Sequence, residues 1–109
     1  MLALKFGRPN YATVHIWTRT EVMTALGMTA EDRAASIVIE AQRENRGMPK
    51  AELARRAGIS LRTVNYYLNG ERAMTLGAFR TLHTILGLSR EEAADRIARV
   101  IATFENSEH

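Results

Sequence analysis

The sequence predicts an all-α bundle of five helices behind an N-terminal extension. Three observations carry that prediction. From Thr29 onward, apolar residues recur at spacings of three and four, the period of a helix with one buried face. Glycines 47, 58, 70 and 87 fall where the first four of these stripes stop. Only 6% of residues are aromatic and two are proline, a composition suited to helices built from Ala, Leu and Ile.

At 109 residues and 46% hydrophobic, the chain has material for one core rather than two. Without cysteine there are no disulfides or thiolate metal sites, which agrees with a reducing cytoplasm. No stretch approaches the roughly 20 apolar residues of a membrane span, and the first residues lack the apolar core of a secretory signal. We therefore expect a cytoplasmic protein with no membrane contact.

Residues 1–28 are read as an arm or extension and 29–109 as the folded domain. Residues 11–17 (YATVHIW) are rich in β-formers and fit a short strand, and residues 20–26 fit a short helix ending at Gly27. Met28, directly before a helix start, or Met23 is an alternative start of translation.

The first helix of the domain opens with Thr29-Ala30-Glu31-Asp32, a capping box with Asp in place of Glu or Gln. Ala34, Ile37, Val38 and Ala41 form its stripe, and Gly47 closes it. Met48-Pro49 opens a second helix, proline being tolerated where the N–H would go unpaired. Leu53, Ala54 and Ala57 point inward, Ala54 small because two helices cross there. Gly58 then supplies the positive φ of a sharp turn, and Ser60 caps a third helix. On it Val64, Tyr67 and Leu68 share one face, while Arg62, Asn65, Tyr66 and Asn69 share another. Asn69-Gly70-Glu71-Arg72 is a turn, after which Thr75 caps a fourth helix with the stripe Leu76, Phe79, Leu82, Ile85 and Leu86. His83 falls on its solvent side. Ser89-Arg90-Glu91-Glu92 is a full capping box for a fifth helix carrying Ala94, Ile97, Ile101 and Phe104, with fraying expected after Glu105.

Net charge is +3, and its excess is local. Residues 43–72 carry seven basic groups, Arg43, Arg46, Lys50, Arg55, Arg56, Arg62 and Arg72, against Glu44, Glu52 and Glu71. A polyanion facing that segment is the economical explanation. The third helix offers matching chemistry to the major groove of B-form DNA, which admits one α-helix. Arg62 suits a bidentate contact to guanine, Asn65 an adenine or a backbone group, and Leu61 a thymine methyl. Tyr66, a turn further on, suits a base or a phosphate.

Leu53-Ala54, Gly58-Ile59-Ser60, Thr63-Val64, Asn69-Gly70 and Thr75-Leu76 together resemble the helix-turn-helix of the lambda repressor and Cro superfamily, the Xre family, over roughly residues 31–88. Tyr67, Leu68 and Pro49 depart from the usual pattern. The resemblance implies a lambda-repressor-like five-helix bundle that binds double-stranded DNA through the major groove. In that family the positions matching Leu61, Arg62, Asn65 and Tyr66 usually face bases, and those matching Lys50 and Asn69 touch the phosphate backbone. Ser60, at a helix start, and Arg43, Arg46, Arg55 and Arg72 are added as phosphate candidates. Such modules usually act as dimers on palindromes with half-sites about 34 Å apart. Either residues 11–17 or the fifth helix is expected to supply the dimer contact.

The resemblance points to a transcriptional regulator of repressor or Cro type, including those of phages, associated with the nucleoid. The alternatives are an antitoxin that binds a toxin and represses its own operon, an excision or integration accessory protein, and a protein-interaction bundle. An enzyme is not expected. His15, His83 and His109 lack ligand spacing, Ser60 and Ser89 read as caps, and there is no glycine-rich phosphate loop. No metal, catalytic residue or cofactor is therefore assigned.

Overall fold

The computed structural model describes residues 28–107 as five helices: α1 (Ala30–Arg46), α2 (Lys50–Ala57), α3 (Leu61–Leu68), α4 (Leu76–Ile85) and α5 (Arg90–Ser107). The described domain is all-α, as the periodicity predicts. The strand expected at 11–17 and the helix expected at 20–26 lie outside the described residues.

Short polar side chains set most of the helix starts. The Thr29 hydroxyl accepts the Asp32 N–H at 3.0 Å while the Asp32 carboxylate accepts the Thr29 N–H at 3.0 Å, so aspartate completes the box. Ser89 and Glu92 exchange the same pair of bonds at 3.0 and 2.9 Å, and hydrogen bonding from the Ser89 N–H, then from its hydroxyl, holds the Glu92 carboxyl below the usual range. Ser60 caps α3 through the Thr63 N–H, and Thr75 caps α4 through the Ala78 N–H. Each such cap contributes about 1 kcal/mol. At α2 the cap residue is Pro49, which has no N–H to satisfy and makes no side-chain cap.

The ends of α1 to α4 share one device. Past each helix a glycine takes positive φ, its N–H and that of the next residue turning back to the last carbonyls, as in Gly58 N–H to Arg55 O and Ile59 N–H to Ala54 O. After three of the four, the next residue is apolar and folds inward: Met48 and Leu88 are buried, and Ile59 packs against the core. Termination of the helix and closure of the core are thus a single event.

One core cluster joins Ile39 of α1, Leu53 and Ala54 of α2, Val64, Tyr67 and Leu68 of α3, and Leu82 and Leu86 around the end of α4. A second lies between α1 and α5, where Met28 and Ala34 meet Phe104, flanked by Ile37, Ile97, Val100 and Ile101. Phe104 sits with the start of α1 while Arg96 reaches Gln42 near its end, so the two helices run antiparallel. Ile97, Ile101 and Phe104 of the α5 stripe therefore pack on its own bundle, and α5 remains helical through Ser107.

Four inward and outward assignments shift from the sequence expectation. Leu76 is 78% exposed, because it occupies the first position of α4 before the helix reaches the core. Ala41 is exposed, its place taken by the neighbours Ile39 and Gln42. Ala94 faces solvent and Ala93 is buried, since docking on α1 sets the rotation of α5 and alanine has little preference. His83 is not on the solvent side. It is 5% exposed, its Nδ1–H donates to the Leu88 carbonyl at 2.9 Å, and its ring meets Phe79 edge-on.

Glu40 and Arg43 form a fork on α1 at 2.8 and 2.9 Å, and Arg43 also donates to the Met48 carbonyl at 2.8 Å. Those Arg43 hydrogen bonds, more than the charges of Arg43 and Lys50, hold the Glu40 carboxyl below the ordinary range. A carboxyl lowered by folding stabilises the fold above its unfolded pKa, and the gain is lost as pH falls through the folded value. Glu40→Gln is accordingly expected to unfold at lower urea than the parent at pH 7. The gap should close as pH falls below the ordinary glutamate pKa of about 4.3, and a gap unchanged in acid would rule out the ionic contribution.

Candidate nucleic-acid interface

Residues 58–60 join α2 to α3, and their backbone fixes the angle between the two. Gly58 sits at φ +72°, where a side chain would be strained although nothing lies near its missing Cβ. The Ser60 hydroxyl is committed locally: it accepts the Thr63 N–H and donates to Thr63 Oγ1 at 2.9 Å.

The eight residues of α3 divide cleanly. Val64, Tyr67 and Leu68 are buried, anchoring the helix to the main core. Ser36, fully buried on α1, donates its hydroxyl to the Tyr67 carbonyl at 2.6 Å and so satisfies a backbone acceptor near the end of α3. Outward, Arg62 and Asn69 are exposed, Leu61 is 45% exposed, and Asn65 and Tyr66 are half-buried. Leu61, Arg62, Asn65, Tyr66 and Asn69 thus share the solvent side of one short helix whose other side is fixed twice over.

Two of these outer groups are already in contact, and Arg72 from the following turn joins them. Arg62 donates its Nε–H to the Tyr66 hydroxyl at 3.0 Å, with its guanidinium 5.6 Å from the ring centre. The Arg72 guanidinium lies over the same ring at 4.6 Å. The Tyr66 carbonyl also accepts the Glu71 and Arg72 N–H groups, at 2.9 and 3.3 Å, tying the turn to the helix. Gly70, in that turn, has φ +74°, and a Cβ there would run into the Arg33 guanidinium.

The remaining cations are placed unequally. Lys50 is half-buried at the start of α2, near enough to Glu40 to help lower its pKa. Arg55 and Arg56 are exposed and share Glu52 at 3.8 and 2.6 Å. Exposed pairs of this kind contribute about 0–1 kcal/mol and yield readily to another anion. Arg43 is turned inward, its side chain 14% exposed in the fork with Glu40, and Arg46 donates to the Leu86 carbonyl at 2.8 Å. Neither of these two shares the cluster formed by Arg62, Tyr66 and Arg72.

Sequence reasoning did not find Ser36, Gln42 or the stacking of Arg72. Ser36 and Gln42 are polar residues on the buried face of α1, Gln42 donating to the Leu86 carbonyl at 2.9 Å and accepting from Arg96 at 3.0 Å. A polar residue inside an apolar stripe was the available signal. For Arg72 only the position after Asn69-Gly70 hinted at a return toward α3. Among the described residues, no cluster of three or more acidic or histidine side chains is arranged to hold a metal, and no helix is long and apolar enough to cross a membrane.

A helix with arginine and asparagine on its outer face fits the width and the donor–acceptor code of the major groove. Comparison with known proteins agrees with that geometry. Neither curated proteins nor solved structures give a match to this chain. A family model described as a helix-turn-helix domain matches residues 36–95, a span that runs from Ser36 through α2 and α3 into α5. The chain belongs to that family, the Xre/Cro-like helix-turn-helix DNA-binding domains.

Proposed function

We propose that the chain is a sequence-specific double-stranded DNA-binding regulator of transcription, of repressor or Cro type, working without enzymatic activity or cofactor at the nucleoid in the cytoplasm. The observation that supports this most is α3 itself. Its apolar side is locked by Val64, Tyr67, Leu68 and the Ser36 bond, while its polar side stands in solvent within a segment carrying the whole excess of positive charge. Leu61, Arg62, Asn65 and Tyr66 face the groove floor in this reading. Lys50, Ser60, Asn69, Arg55 and Arg72 flank it toward the phosphates.

One such module spans few base pairs, so a homodimer on a palindromic operator is the expected working form, with half-sites about 34 Å apart. The dimer contact is assigned to residues 11–17, outside the described part, or to α5, whose Ile97, Ile101 and Phe104 pack against α1; the α1 packing favours the former.

With about five phosphates neutralised, log K is expected to fall against log salt with a slope of roughly −4 to −5. Lys50→Ala should weaken binding evenly across sequences and reduce that slope by about one. Titration of labelled duplex at several salt concentrations measures both. A slope unchanged by the substitution removes Lys50 from the interface, and no binding at low salt removes the proposal.

A further inference from the structure

The proposed reading of DNA by α3 leaves open what Tyr66 does, and on that reading we infer that Tyr66 is a positioning residue rather than a reader: its hydroxyl aims Arg62 at a base edge and its ring seats Arg72 beside the adjoining phosphate. Arg62 and Tyr66 are four residues apart, one turn along the same face. The phenol oxygen accepts the Arg62 Nε–H, the guanidinium donor that points sideways. That bond uses only Nε–H, and on the exposed Arg62 side chain the terminal nitrogens are the donors suited to a bidentate contact with guanine.

On the other side, Arg72 is fixed at both ends. Its backbone N–H is bound to the Tyr66 carbonyl and its guanidinium rests on the Tyr66 ring. Two cations sharing one aromatic ring repel each other, and an incoming polyanion relieves that repulsion. An arginine held this way loses less conformational freedom when it binds, because its rotamer is already restricted. Tyr66 is half-buried, and its oxygen already accepts one hydrogen bond before DNA arrives.

The test is a double-mutant cycle on the full chain: parent, Tyr66→Phe, Arg62→Ala and the double variant. The probe is the duplex enriched by the parent from a random pool, together with its single base-pair substitutions. Tyr66→Phe keeps the ring and removes only the hydroxyl. It is expected to weaken binding about two- to tenfold, the cost of ordering one long side chain anew. The loss should concentrate at the base pair to which Arg62→Ala becomes indifferent, while the salt slope stays at the parental value because Arg72 keeps its seat. In the Arg62→Ala background the same change should add nothing. An equal loss in both backgrounds overturns the inference, since the phenol would then act on DNA directly or through the fold. So does no loss in either background. Failure of the parent to enrich any duplex is a different outcome: it overturns the proposed function and the inference with it.

Discussion

Leu53→Ala is expected to lower the free energy of unfolding by about 2–5 kcal/mol. Leu53 is fully buried on α2, in the cluster where α2, α3 and α4 meet. Removing its isobutyl group loses the transfer free energy of those atoms and leaves a cavity in packing as dense as a crystal. A domain of this size has a total stability of roughly 5–15 kcal/mol, so the change consumes a large part of it. Leu76 provides the control. It reads as core from its spacing, yet it is 78% exposed, and Leu76→Ala should stay within about 0.5 kcal/mol of the parent. Urea unfolding of the two variants side by side measures the difference; equal destabilisation would contradict the packing described for α2 and α4.

Arg62→Ala is expected to cost about 1–3 kcal/mol of DNA binding and to relax preference at one base position. The side chain is exposed and contributes nothing to the core, so unfolding should be nearly unchanged while binding falls. Arg62 is bonded to the Tyr66 hydroxyl one turn along α3, and alanine there removes the guanidinium. Competition between the preferred duplex and its base-pair variants resolves the two effects. A uniform loss on every sequence would assign Arg62 to a phosphate instead.

Much of this arrangement was legible before any coordinates because the signals are local. Thr29 with Asp32, Ser60, Thr75, and Ser89 with Glu92 each mark a helix start through a bond spanning three residues, and those bonds form as the spacing requires. Gly58 and Gly70 mark ends for an equally local reason, a backbone sign that other residues avoid. The split of α3 into an inner and an outer face followed from its period alone.

What was not legible depends on partners distant in sequence or on the rotation of one helix against another. His83 looks like a solvent residue until the turn after α4 brings the Leu88 carbonyl within reach of its ring. The buried hydroxyl of Ser36 has its acceptor 31 residues away, and Gln42 has its acceptor 44 residues away. Arg43 is charged and flanked by polar residues, yet Glu40 and the Met48 carbonyl take up its donors. Ala93 and Ala94 are indistinguishable by type, so only the docking of α5 on α1 decides between them. The same limit applies to the outer face of α3, where local spacing sets which groups project and the stacking of Arg72 on Tyr66 required the following turn to fold back.

The most direct measurement is enrichment of bound duplexes from a random double-stranded pool by the full chain at low ionic strength, followed by sequencing. Recovery of one recurring short sequence, arranged as inverted half-sites about one helical turn apart, is the predicted result. A recovered pool indistinguishable from the input would mean that the outward side of α3 does not read DNA.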